Sequence, residues 1–298
     1  MIRRQLITFA CATFLVVAGA LSLPAPEPAA AAPRLDRADC GGERPAKPGG
    51  GRYACAFDDD FSGDTLDDGK WVVQQTALNG MTTGAKDCYV ANRKNVWVSG
   101  GQLHLRSQVE AKPFVCPSPL GNFTSKRTVA TVASWSKFTQ TYGRFEFRAK
   151  MPNHSGPGLH SAVWLYPQAH TYGAWPSSGE IDVAEWYSGD PRKAYPSVHY
   201  AGEDWTKSTG FDCSVAGAST GFHRYAVEWT PSVMRFFYDG RLCFTHAWTP
   251  NAPLAAPQPF DRPFYLVMTQ VFGSAWNAVD GGTPASGEMA IDWVRAWR

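Results

Sequence analysis

The sequence predicts an all-β fold, a sandwich or jelly roll of two antiparallel sheets. Three observations carry that expectation. Runs that alternate apolar and polar residues recur along the chain, bounded by Gly, Pro, Asn and Asp. Long stretches with helical periodicity are missing. The 28 Gly and 22 Pro, beside 12 Trp, 11 Tyr and 17 Phe, describe many short elements joined by turns, with more aromatic surface than a core requires. The roughly 240 residues from Phe57 onward suit a single such domain.

In chain order, Arg3 and Arg4 precede an apolar run from Leu6 to about Leu23, and small residues follow at Ala29, Ala30, Ala31 and Ala32. This three-part pattern predicts a cleaved signal peptide over residues 1–31. A membrane anchor is the competing reading, but Thr8, Thr13, Gly19 and Ser22 interrupt a run already marginal for a span of about 20 residues. The Arg pair leaves Sec and twin-Arg export both open. Residues 32–56 are polar and rich in Gly and Pro, and predict an irregular arm. From Phe57 to Arg298 the texture is uniform, without repeat or linker.

Net charge is +2, and loss of Arg3, Arg4 and Glu27 with the signal leaves +1. That balance excludes a nucleic-acid binder working through phosphate neutralisation. A charged fraction of 18% against 13% aromatic excludes disorder. A secreted monomer with no membrane contact after cleavage is expected. The six cysteines that remain are Cys40, Cys55, Cys88, Cys116, Cys213 and Cys243. An even number in an exported chain predicts disulfides. Six cysteines allow 15 pairings; pairing of sequence neighbours is the expectation, with Cys40–Cys55 closing the arm.

The strands follow. Arg144–Lys150 alternates strictly, with Phe145, Phe147 and Ala149 on one face and Arg144, Glu146, Arg148 and Lys150 on the other. Further runs cover 162–166, 180–185, 197–200, 224–230, 235–238, 264–271 and 289–297. Asp239-Gly240 between two of them is a hairpin signal. Segments 77–86, 110–126 and 204–221 read as loops.

The stretch Trp175-Pro-Ser-Ser-Gly-Glu180-Ile-Asp182-Val-Ala-Glu185-Trp-Tyr carries the chemistry. Acids are depleted in strands, yet three fall here within six residues. Glu180 and Asp182 share a face. Glu185 joins them only if a one-residue bulge at Val183-Ala184 resets the alternation. The two glutamates then lie about 13 Å apart at Cα, which leaves about 5–6 Å between leaning carboxyls. That matches a retaining glycosidase better than an inverting one. One Glu attacks the anomeric carbon, the other protonates the leaving oxygen, and the Asp between them helps separate the two acidities. A solvated acidic edge or a calcium site are the alternative readings.

This stretch resembles the bulged signature of glycoside hydrolase family 16, in the form found in its β-1,3-glucanases. Other segments resemble the family in the same order: Phe57–Gly63, Asn95–Val98, Gln102–Leu105, Tyr142–Lys150, Phe222–Thr230, Tyr238–Gly240, Pro263–Val267 and Ile291–Arg295. The resemblance implies a β-jelly roll with a groove across its concave face. It implies retaining endo-hydrolysis of a β-1,3-glucan or mixed β-1,3/1,4-glucan, with Glu180 as nucleophile, Asp182 assisting and Glu185 as general acid/base. It places Trp175 on sugar near the cleaved bond and His199 on the groove wall, with Trp164, Tyr89, Gln270 and Trp276 as further candidates. No cofactor is expected for catalysis, although relatives hold a structural calcium partly through an Asp like Asp292. The sequence departs from the family at His160-Ser161, where Trp-Pro is usual, and at Phe272–Trp276. A transglycosylase using the same trio, or a carbohydrate-binding jelly roll without activity, are the alternatives. No GxSxG, HExxH or GxxxxGK motif competes.

Overall fold

The structure is a computed structural model that describes residues 40–83 and 86–298. The expected signal segment, residues 1–31, lies outside the described residues, as does the first part of the arm. Among the described residues fifteen strands are joined by tight turns and by longer segments, the longest being 200–222 and 247–263: β1 (Cys55–Asp59), β2 (Val72–Val73), β3 (Cys88–Tyr89), β4 (Val96–Ser99), β5 (Gln102–Cys116), β6 (Phe123–Ala133), β7 (Gly143–Lys150), β8 (Leu159–Pro167), β9 (Glu180–Tyr187), β10 (Tyr195–His199), β11 (His223–Trp229), β12 (Met234–Tyr238), β13 (Arg241–His246), β14 (Phe264–Phe272) and β15 (Ser286–Trp297). Two four-residue helices are added, α1 (Thr76–Asn79) and α2 (Trp205–Ser208).

The strand order is β10-β9-β8-β14-β6-β5-β15-β7-β11-β12-β13. The first five form one layer and the last six the other, and β6 belongs to both. Its Phe123–Thr128 end pairs with β5, while Ala130–Ala133 pairs with β14. Every pairing is antiparallel except β3, which runs parallel to β6. The segment read as a loop over 110–126 is largely strand, because β5 and β6 form one long hairpin that reaches Cys116 and Phe123.

The core lies between the layers, and the alternation of β7 shows why. Phe145, Phe147 and Ala149 are wholly buried, and each Phe contributes about 2–3 kcal/mol of transfer free energy. The opposite face is a salt-bridged outer surface. Arg144 binds Glu146 at 2.7 Å and Glu228 at 3.1 Å. The turn between β12 and β13 takes positive φ at both Asp239 (48°) and Gly240 (77°), as a two-residue hairpin of this sequence requires.

The three disulfides join Cys40 to Cys55, Cys88 to Cys116 and Cys213 to Cys243. The described part of the arm is irregular but packed. Cys40 and Tyr53 bury against Trp297, and Trp297 Nε1 donates to the Glu43 carbonyl at 3.0 Å. Ala54 and Arg298 exchange two backbone hydrogen bonds of 2.9 Å.

Candidate active site

The site is built on β9, and its geometry follows from one extra residue. Opposite β8, Ala184 pairs with Val163 and Asp182 with Trp164, so Val183 has no counterpart. Opposite β10, Glu185 pairs with Tyr195 and Asp182 with Ser197, four residues against three, so one residue of β9 is again in excess. The bulge stands where the sequence reading placed it. Ile181, Val183 and Ala184 are wholly buried on the core side, and Glu185 returns to the face of Glu180 and Asp182. The carbonyl that the bulge leaves unpaired is captured from the other layer: Tyr238 Oη, buried, donates to Val183 O at 3.0 Å. Gly179, just before Glu180, has φ 85°, and a Cβ there would lie 2.7 Å from the Phe260 ring. Only glycine fits both constraints.

The trio lies between two cavities. Glu180 borders one of about 340 Å³ with Trp164, Tyr166, Trp175 and Tyr265. Glu185 borders the other, about 350 Å³, with Tyr187, Tyr195, Trp205, Phe211 and Trp276. Trp175, half exposed, donates from Nε1 to Glu180 Oε2 at 2.5 Å. His199 bridges two acids, with Nε2 3.3 Å from Asp182 and Nδ1 3.0 Å from Glu203. Tyr187 Oη donates to Glu185 Oε1 at 2.8 Å, and His160 Nε2 lies 3.3 Å from the same oxygen.

These neighbours separate the acidities. Burial, then the charge of Asp182, pushes the Glu180 carboxyl up to about 8. Burial and Glu185 raise Asp182 to about 6. Burial would also raise Glu185, but His160 and Tyr187 outweigh it and hold that carboxyl below its ordinary value. Burial would lower His199; hydrogen bonds and charge from Asp182 and Glu203 carry it instead up to about 10, so it is a cation at neutral pH. Burial and Glu185 raise the Tyr187 phenol, which stays protonated and donates.

Trp175, His199, Trp164 and Trp276 therefore stand beside the trio. Two candidates do not. Tyr89 is a core residue: β3 pairs with β6 and turns its ring inward. Gln270 is wholly buried, because its neighbour Thr269 takes the trough face, where it accepts from Trp164 Nε1 at 3.0 Å. The Gln270 amide instead accepts from Ser161 and donates to Ser107 at 3.2 Å.

Asp292 is the acid that the family resemblance offers to a structural calcium. Its carboxylate pairs with the Arg148 guanidinium, and no group of three or more His, Cys, Asp or Glu donors forms around it among the described residues. The one such group there is Glu180, Asp182 and His199, whose ligating atoms lie within 4.8 Å of one another; His199 supplies the positive charge in it. Tyr187, Glu203, Tyr195, Trp205 and Phe211 escaped the sequence reading. Tyr187 had a signal, since it follows Glu185 by two residues and shares its face; the other single aromatics and a lone Glu in a loop carry no pattern to single them out. His160 had a signal, its departure from Trp-Pro.

Comparison with known proteins agrees with this architecture. The chain is 36% identical over 221 residues to a beta-glucanase of Rhodothermus marinus, covering 70% of this chain and 72% of that one. It is 30% identical over 266 residues to glucan endo-1,3-beta-glucosidase A1 of Niallia circulans, covering 81% of this chain and 37% of the relative. The solved laminarinase of Rhodothermus marinus superposes with a TM-score of 0.66 at 31% identity, over 83% of this chain and 97% of its own. The Glycosyl hydrolases family 16 profile matches residues 90–295, and the chain belongs to that family.

Proposed function

We propose that the protein is a secreted, retaining endo-β-glucanase that cleaves β-1,3-linked glucan within the chain. One observation carries the reading: the β9 bulge aligns Glu180, Asp182 and Glu185 on a single face between two cavities. Space on both sides of the trio suits a polymer threaded through the site. The names of the relatives support β-1,3-glucan as its backbone. The signal-like residues 1–31 and three disulfides support export.

Glu180 Oε attacks the anomeric carbon, and the bond from that carbon to the leaving oxygen breaks. Glu185 gives its proton to that oxygen, so the departing chain leaves as an alcohol. Glu185 then removes a proton from water, whose oxygen displaces Glu180, and both carboxyls return to their starting states. Two displacements retain the anomeric configuration. In the free site the proton rests on the Glu180 side, since that carboxyl titrates at about 8 and Glu185 below its ordinary value. The competent species has the proton on Glu185 and the charge on Glu180. The proton belongs to the coupled set rather than to one residue, and a glycosidic oxygen within reach of Glu185 selects the competent form.

The test is a product screen on laminarin, lichenan, agarose, carrageenan and chitosan-type polymers, with NMR of the first product. Rapid release of β-anomeric oligosaccharides from laminarin is expected, and Glu180→Ala abolishes it while binding persists. An α-anomeric first product, or unchanged cleavage by Glu180→Ala, would refute the assignment. Longer products in place of shorter ones would make the enzyme a transglycosylase.

A further inference from the structure

The aromatic cluster on the Glu185 side has a feature that hydrolysis by the trio does not explain. His160 enters from β8 opposite Tyr187, and the two rings stack at 4.4 Å and 12°. Trp276 packs against Tyr187 at 5.1 Å. The turn bearing Trp276 is tied down by Asn277, wholly buried, which accepts from Gly189 N at 2.9 Å and donates to the Leu159 carbonyl at 2.8 Å. The start of β8, the end of β9 and this turn are thus tied together, and Tyr187, backed by Trp276, holds its ring against the imidazole. His160 Nε2 is buried and makes no well-formed hydrogen bond; it lies 3.3 Å from Glu185 Oε1. Tyr187 already donates to that same oxygen.

We propose that His160 is a positioning residue for Glu185. Together with Tyr187 it occupies Oε1, so that the transferable proton resides on Oε2, the oxygen left to face a leaving group. The physical reason is simple. A protonated carboxyl keeps its proton off an oxygen that faces two donors, here the Tyr187 hydroxyl at 2.8 Å and the His160 imidazole at 3.3 Å, and carries it on the other. A proton aimed at the trough is the one a glycosidic oxygen can take. The inference rests on the reading of Glu185 as general acid and adds to it the group that decides which oxygen donates.

Acid assistance matters only when the leaving group needs a proton. Compare kcat/KM on laminaritetraose, whose leaving group is a sugar alcohol, with kcat/KM on 2,4-dinitrophenyl β-laminaribioside, whose leaving phenolate needs none. His160→Leu keeps the side-chain bulk and removes the donor. It lowers kcat/KM on laminaritetraose about 30-fold, a part of the 10²–10⁴ contributed by general acids, and on the aryl glycoside by less than about threefold. His160→Gln, whose amide can donate, recovers most of the loss. Equal losses on both substrates, or none on either, overturn the inference, as does a Gln variant no better than Leu. Glu185→Gln separates the two readings. If it fails to lose activity selectively on laminaritetraose, Glu185 is not the acid; if it does and His160→Leu does not, only the role of His160 falls. Turnover of the aryl glycoside by each variant shows in the same assay that it has folded.

Discussion

Replacing Asp182 by Asn tests whether the three acids behave as one coupled set. The substitution keeps the shape and removes one charge. Ligating atoms of Glu180 and Asp182 lie within 4.8 Å. At an effective dielectric of about 20, two unit charges at that distance repel by about 3.5 kcal/mol, equivalent to about 2.5 pH units of titration. In the native site Glu180 titrates at about 8, with burial the first cause and Asp182 the second. His199 keeps Glu203 as its partner at 3.0 Å, so its positive charge persists in the variant and continues to favour ionised Glu180. The last proton of the set should therefore leave near pH 6 instead of near pH 8, about two units lower. The native enzyme loses its transferable proton above about pH 8, so kcat/KM falls on the alkaline side with a limb there. In Asp182→Asn the limb moves toward pH 6. The assay is kcat/KM on laminaritetraose from pH 4 to 10, and the limb position is read independently of the lowered maximum. A limb that stays near 8 in the variant, or a native profile still flat at pH 9.5, would refute the coupled-set argument.

Three further outcomes are expected. Glu180 holds a proton in the folded state up to about pH 8 and in the unfolded chain only to its ordinary value of 4.5, so its ionisation removes stability as pH rises through that window; Glu180→Gln should melt several degrees above the native protein at pH 9 and level with it at pH 4. Tyr238→Phe leaves the Val183 carbonyl without its 3.0 Å donor and should cost about 1–3 kcal/mol in urea unfolding, with kcat lowered more than KM because the bulge aims Glu185. Cys40→Ser with Cys55→Ser opens a link spanning 15 residues and should cost about 3 kcal/mol while kcat at 25 °C is unchanged; an equal loss of kcat would mean that the arm reaches the site.

The sandwich was legible because its strands announce themselves by period 2, and the clearest of them, β7, turned its phenylalanines inward as the alternation requires. The trio was legible for the same reason, plus one chemical oddity: acids two and five apart on a strand make sense only with a bulge. The errors came from the phase of alternation at single residues. Gln270 was offered to the groove although Thr269 holds the outward position, and Tyr89 sits on a two-residue strand too short to show any phase. The span 110–126 read as a loop because a long hairpin projecting from a sheet buries little there, and its outer positions carry no apolar stripe.

By itself the sequence determined which residues bear the chemistry and which face of each long strand meets the core, since both follow from local spacing. The tertiary structure alone decided the company that each acid keeps. His199 gains Glu203 through a tight turn, Glu185 gains His160 through the β8–β9 pairing, and Val183 gains Tyr238 from the opposite layer. A carboxyl's acidity depends on charges and donors within a few ångströms, and several of those, His160 beside Glu185 and His199 beside Asp182, come from other strands, which spacing along one strand does not encode.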